Sequence, residues 1–163
     1  MIEHTWRLAD MTDVDEIVAL GVENFKHEID NVFIHSTPAA TRNCVFAILN
    51  QIYYPGTQLL TVCRELGSNR LLAYTMAKSN ERTMWSDDLM VCIQFAHIDL
   101  TLPPKLRIKL VKDMMEQWEK FARYAGNPVI CSTTMRHEQT AFLKLHERAG
   151  YSVRGSYAYK RLE

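Results

Sequence analysis

A histidine and a carboxylate occupy alternate positions near the end of the most strand-like run of the chain, residues 91–100. Alternation along a regular strand places His97 and Asp99 on one face, together with Ile93 and Phe95. Imidazole and carboxylate groups both serve as general bases in enzymes. We therefore take His97 and Asp99 as candidate catalytic residues. The alternatives are that they face solvent or pair with each other.

A basic stretch, residues 101–111, separates that strand from the longest helical pattern of the chain, and it carries Lys105, Arg107 and Lys109 at every second position. A helix N-terminus offers unpaired backbone N–H groups and the positive end of the helix dipole, so such a junction suits a phosphate. The alternative is a solvated basic helix face without a ligand.

The composition is typical of one globular domain spanning residues 1–163. Apolar residues make up 47% and charged residues 23% of the chain, and no run reaches the roughly 18 apolar residues of a membrane span. Lysine plus arginine equals aspartate plus glutamate at 19 each, so no net charge directs the protein to nucleic acid. We predict a cytoplasmic protein with neither nucleic-acid nor membrane partners.

The cysteines favour the same compartment. Cys44, Cys63, Cys92 and Cys131 are widely separated, and each lies in an apolar run. Because structural metal sites need clustered ligands and no Cys-x-x-Cys pair is present, we predict no metal and four reduced thiols.

Hydrophobic periodicity predicts an α/β (α+β) chain with helices on both faces of a mixed sheet. Gly155 predicts a bulge or a kink in the last strand, and residues 79–88 are predicted to form a loop. A helix between two strands of one sheet makes those strands parallel neighbours. The predicted elements are strand 4–9, a helix capped by Thr12, a helix starting at Thr37, strands 58–66, 70–78 and 91–100, helix 105–125, strand 129–134, helix 138–149 and strand 151–162.

That element order, together with Gln139-Thr-Ala-Phe-Leu-Lys-Leu-His-Glu-Arg-Ala-Gly-Tyr151, resembles the GNAT superfamily of acetyl-CoA-dependent N-acetyltransferases. The resemblance implies a mostly antiparallel central sheet of six to seven strands with about four helices. It also implies an acyltransferase that uses acetyl-CoA and acts on a small-molecule or peptide amine.

The resemblance places acetyl-CoA between the strands that end near Leu100 and Thr134. Backbone groups around Leu100 and Thr101 would hold the pantetheine arm, and the side chains of Arg107 and Lys109 would bind phosphate. Gln139 stands where many members have an asparagine that contacts the coenzyme.

The same resemblance gives His146 a role, because members often have at that position a tyrosine that protonates the leaving thiolate. His97 or Asp99 would then deprotonate the amine. His146 also lies four residues after Phe142 on an apolar stripe, so the alternative is a buried structural histidine.

One departure from the family supports a second hypothesis. The family binds the coenzyme pyrophosphate with a glycine-rich turn, whereas this chain has Leu106, Arg107, Lys109 and Val111 there and no glycine between Gly67 and Gly126. The protein would then be a catalytically inactive relative that contacts a protein partner as a binding or structural component. Similar proteins occur in tailed phages, so the location would be the virion or the host cytoplasm.

Overall fold

The computed structural model describes residues 2–27, 33–136 and 139–155. A short 3-10 turn, Met11–Asp13, precedes the first helix. The helices and strands in chain order are β1 (His4–Leu8), α1 (Val14–Phe25), α2 (Thr37–Tyr53), β2 (Gln58–Glu65), β3 (Leu71–Arg82), β4 (Leu89–Ile98), α3 (Pro104–Tyr124), β5 (Val129–Cys131) and α4 (Thr140–Arg148).

The strands form one mixed sheet in the order β1-β2-β3-β4-β5. The first four are antiparallel, and β5 runs parallel to β4, as predicted for strands that flank a helix. The expected six to seven strands are wrong for the described residues, which form five. Residues 151–155 are not in a strand, and Gly155 at the end of this stretch has a left-handed φ of +72°. The rest of the predicted last strand, 156–162, lies outside the described residues.

Helices cover both faces of the sheet, as predicted. On one face, α1 and α2 bury Ile17 and Ile48 against Leu60 of β2 and Met76 of β3. On the other face, α3 buries its apolar stripe, with Trp118 at the centre. The Trp118 indole N–H donates to the Thr75 hydroxyl at 2.9 Å, which satisfies a buried polar group and fixes α3 on β3.

Local signals explain where the first two helices begin. Asp10, and not the predicted Thr12, caps the 3-10 turn, since its carboxylate accepts from the Thr12 N–H at 2.8 Å. The second helix starts at Thr37 as predicted, with the Ser36 hydroxyl accepting from the Ala39 N–H.

A β-bulge in β4 changes the predicted distribution of its side chains. Met76 pairs with Phe95 and Ala77 pairs with Ile93, so Gln94 is an extra residue in β4. Ile93 therefore belongs to the core beneath α3, while Phe95 lies against the face covered by α1 and α2. The predicted grouping of Ile93 with Phe95 and His97 is wrong, because the bulge reverses the alternation.

The prediction of a loop over 79–88 is wrong for its first four residues, which continue β3 to Arg82. Side-chain contacts hold this extension. The Ser79 hydroxyl donates to the Gly56 carbonyl at 2.5 Å, and the Asn80 N–H donates to the Asn127 side chain at 2.8 Å. None of the helices in the described ranges is long and apolar enough to cross a bilayer.

Candidate functional site

Strand β4 loses its outer neighbour halfway along its length. Strand β5 pairs only with Met90–Cys92, and no other described strand lies beside residues 93–98 on that side. A cavity of about 340 Å³ fills the gap, bounded by β4, the start of α3, residues 133–136 and α4. Along the cavity, this edge of β4 has no strand partner among the described residues, and the Ile98 carbonyl accepts from the Asn24 side chain instead.

A second cavity, of about 460 Å³, lies on the opposite face of the sheet beneath α1 and α2. We call the two cavities the edge cavity and the helix cavity. Gln94, Phe95, His97 and Met135 line both of them. The bulge at Gln94 therefore lies where a molecule in one cavity can meet a molecule in the other.

His97 lies at this junction with 4% of its surface exposed. Its Nδ1 atom is 2.7 Å from the Tyr74 hydroxyl oxygen, and its ring contacts Phe95 with centroids 5.4 Å apart. Gly21 of α1 leaves room for this arrangement, because a Cβ atom there would lie 2.8 Å from the Tyr74 hydroxyl oxygen. A buried imidazole that a phenol orients at the meeting of two cavities is able to exchange a proton with a bound molecule.

Asp99, predicted to accompany His97, lies beyond the end of β4 and lines neither cavity. One carboxylate oxygen accepts from the Thr101 N–H at 2.8 Å and from the Thr101 hydroxyl at 2.6 Å. The other lies 3.6 Å from the Arg70 guanidinium. Asp99 and Thr101 thus form a turn, whereas Leu100 between them lines the edge cavity.

His146 is 3% exposed and lines neither cavity. Its Nδ1 lies 3.0 Å from the Phe142 carbonyl oxygen, and its Nε2 lies 2.9 Å from the Ser132 hydroxyl oxygen. A carbonyl only accepts, so Nδ1 carries the hydrogen, and in the neutral ring Nε2 accepts from Ser132. Burial lowers the pKa of His146, which favours this neutral form.

The predicted phosphate and coenzyme residues separate in space. Arg107 lines the edge cavity, and its Nε atom is buried with no hydrogen-bond partner among the described residues. The Lys109 ammonium instead lies 3.2 Å from the Asp113 carboxylate and 2.9 Å from His4 Nε2. Gln139 is exposed before α4 and lines neither cavity.

The N-terminus of α3 offers few backbone donors to the edge cavity. Pro103 and Pro104 have no N–H group. The N–H groups of Leu106 and Arg107 both donate to the Pro103 carbonyl, at 3.0 and 3.1 Å. Among the first helical residues, Lys105 alone keeps an N–H without a described backbone acceptor. A cradle made of several backbone N–H groups is therefore not formed here.

Four site residues were not predicted as such from the sequence: Gly21, Asn24, Tyr74 and Arg136. Asn24 is fully buried in α1, and its amide donates to the Ile98 carbonyl at the end of β4, at 3.1 Å. The Arg136 guanidinium, which lines the edge cavity, donates to the Asn24 side-chain oxygen. In the sequence, the available signals of this site were a glycine and an asparagine within the amphipathic pattern of α1.

Comparison with solved structures identifies the architecture. A predicted acetyltransferase from Clostridium acetobutylicum, solved with acetyl-CoA, superposes with a TM-score of 0.75 at 13% identity, covering 98% of this chain and 96% of that one. The chain has a GNAT-like fold. An aminoglycoside N-acetyltransferase in complex with CoA gives 0.71 at 12% identity, covering 99% and 96%. Glucosamine-6-phosphate N-acetyltransferase from Arabidopsis thaliana gives 0.65 at 14%, covering 99% of each chain.

Comparison of the sequence with family models and with curated proteins finds no match. The chemistry must therefore be argued from the site itself. The arrangement combines an open strand edge, a cavity on each face of the sheet and a buried histidine between them. It suits a reaction between two bound molecules with one proton transfer.

Proposed function

We propose that this protein is an N-acyltransferase that moves an acyl group from a coenzyme A thioester to a primary amine. The observation that carries this proposal is the meeting of the two cavities at His97. The thioester arm occupies the edge cavity, and the amine enters through the helix cavity. The GNAT fold, found in structures with acetyl-CoA or CoA bound, supports this assignment.

The edge cavity fits the pantetheine part of the thioester. Pantetheine is an extended chain with amide groups, and residues 93–98 present extended backbone without a neighbouring described strand. Leu100 adds an apolar wall. The diphosphate fits less well, because the start of α3 offers only the Lys105 N–H as a backbone donor among its first residues. The main side chain that would bind the negatively charged diphosphate is Arg107, whose buried Nε has no described partner.

The coenzyme supplies an activated acyl carbonyl with a thiol leaving group. The amine nitrogen bonds to that carbonyl, the C–S bond breaks, and the amine loses one proton. The imidazole of His97, which the Tyr74 hydroxyl orients through Nδ1, takes the proton. The departing thiolate takes up a proton from water, and the products are an amide and a free thiol.

His97 is a better candidate for the base than Asp99. The Asp99 carboxylate accepts two hydrogen bonds from Thr101 and lies outside both cavities. For His146 the geometry favours the structural alternative, since both ring nitrogens have partners inside the protein and the neutral ring has no proton available for a thiolate. Lys109 and Gln139 remain predictions for outer contacts with the coenzyme.

A second candidate function is a non-catalytic binding protein on the same fold. The observation in its favour is the proline-blocked start of α3, which removes the usual kind of anion site. Such a protein would act through a protein partner, for example as a component of a phage particle. It would not bind a coenzyme A thioester.

Calorimetric titration with acetyl-CoA separates the two functions. We expect a dissociation constant below about 100 μM, since weaker binding would not hold a cofactor. Arg107→Glu should weaken binding at least about tenfold by placing a carboxylate beside the diphosphate. Lys120→Glu, with the same charge change on an exposed position of α3, should not. No heat at millimolar acetyl-CoA would refute the acyltransferase and favour the binding protein.

A further inference from the structure

The residues that line the helix cavity restrict which amine can accept the acyl group. We propose that the acceptor is an apolar primary amine, aromatic or aliphatic, with no second cationic group. This inference rests on the proposed function for the reaction, and on the cavity lining for the choice of amine.

The walls of the helix cavity are mainly aromatic and aliphatic. Phe25 comes from α1, Phe33 precedes α2, and Tyr74, Met76 and Phe95 come from the sheet. The volume of about 460 Å³ lies within the range of small-molecule sites. An apolar body of ring size gains by leaving water for such a surface.

No lining residue in the described part of the chain is an aspartate or a glutamate. The polar side chains present are neutral amides and hydroxyls together with His35 and His97. Cys44 adds no negative charge, because burial raises the pKa of its thiol to about 11. The described lining thus offers no carboxylate to pair with a bound cation.

A polycationic amine meets this lining unfavourably. One amino group reaches His97 and gives up its proton, but any other ammonium that enters the cavity loses water without gaining a counter-ion from the described lining. Aromatic faces can accommodate a single ammonium on its way to His97. An aminoglycoside, the substrate named for one relative of this fold, carries several such groups. The cavity therefore selects against amines of that kind.

The test compares three acceptors in a thiol-release assay with acetyl-CoA: 2-phenylethylamine, spermidine and kanamycin. We expect kcat/KM for 2-phenylethylamine to exceed the values for both polycations by about 100-fold, the scale set by an unpaired charge. Saturation-transfer NMR without acetyl-CoA measures amine binding separately, and it should detect 2-phenylethylamine but not spermidine.

A variant with an added carboxylate tests directly how charge in the cavity affects the choice of amine. Asn43→Asp places a carboxylate in the cavity wall with little change in shape. It should raise kcat/KM for spermidine about fivefold or more, the scale of one partly exposed ion pair. Thr41→Asp adds the same charge to α2 outside the cavity and should leave the ratio unchanged.

The outcomes separate this inference from the proposed function. Efficient thiol release with kanamycin or spermidine, and little with 2-phenylethylamine, would overturn the apolar acceptor and leave the acyltransferase standing. Binding of 2-phenylethylamine without thiol release from any amine would support the ligand class and overturn the acyltransferase. Absence of 2-phenylethylamine binding by NMR would overturn the inference directly.

Discussion

The hydroxyl oxygen of Tyr74 lies 2.7 Å from Nδ1 of His97, and both side chains are buried. The two residues face each other across β3 and β4 as register partners, so the sheet itself fixes their separation. This pair gives the imidazole a defined orientation at the point where the two cavities meet.

Replacing Tyr74 with phenylalanine removes the hydroxyl and keeps the ring. We expect kcat/KM for acyl transfer to fall about tenfold or more, because a positioned base loses the partner that orients it. The free energy of unfolding should fall by only about 1 kcal/mol, the usual scale of one hydrogen bond. Turnover and urea unfolding of Y74F measure the two effects. An unchanged kcat/KM would contradict the orienting role.

Gly21→Ala tests the space around the same hydroxyl. The new Cβ would lie 2.8 Å from the Tyr74 oxygen, so the phenol must move away from its position beside His97. We expect kcat/KM to fall about tenfold. The helix gains up to about 1 kcal/mol from replacing glycine by alanine, which offsets part of the clash in thermal unfolding.

A double-mutant cycle checks the cause of that loss. In the Tyr74→Phe background no hydroxyl remains to be displaced, so Gly21→Ala should cost little further activity. Equal losses from Gly21→Ala in both backgrounds would show that the effect of Gly21 does not pass through the Tyr74 hydroxyl.

His146 should make stability depend on pH. Burial lowers its pKa below the usual 6.5, so below that pH the unfolded chain binds a proton that the folded chain excludes. The free energy of unfolding therefore falls as the pH drops through 6.5, and it levels off only below the folded pKa. His146→Gln should flatten this part of the curve by up to about 1 kcal/mol per pH unit.

Urea unfolding of the wild type and H146Q at about pH 7.5 and about pH 5.5 measures this difference. The same variant should retain acyl transfer at the higher pH if it stays folded. Loss of turnover by several orders of magnitude without any change in the pH dependence of stability would instead favour a catalytic acid.

The start of α3 leads to a prediction about how the protein binds the acyl donor. Because Pro103 and Pro104 lack N–H groups, the diphosphate of acetyl-CoA contributes little binding through the backbone. We expect S-acetylpantetheine, which lacks the diphosphate and the nucleotide, to bind within about tenfold of acetyl-CoA by calorimetry. A difference of more than about 1,000-fold would mean that this helix start binds the diphosphate well.

The fold was largely predictable because its elements follow regular periods. Trp118 and the other buried residues of α3 recur at helical spacing, and β4 and β5 are parallel as a helix between them requires. The wrong predictions concern places where the regular alternation of a strand is interrupted. Nothing in the residue types around Gln94 predicts a bulge, so Ile93 was placed on the wrong face.

The candidate site was predictable only in part, because it depends on contacts between residues distant in the chain. His97 was found from its strand position, but its partner Tyr74 lies 23 positions earlier. Asp99 shares the alternation of His97 in the sequence, but β4 ends at Ile98 and the chain turns at Asp99. Tertiary pairing, which one sequence does not reveal, decides which of two similar residues faces the cavities.

The most direct test of the central claim is the effect of His97→Gln on amine-dependent release of thiol from acetyl-CoA. The proposed base predicts a loss of at least about 100-fold in kcat/KM. It also predicts a calorimetric dissociation constant for acetyl-CoA that stays within about threefold of the wild-type value. Amine-dependent turnover by H97Q at the wild-type rate, or its absence from the wild type with every amine tested, would contradict the account.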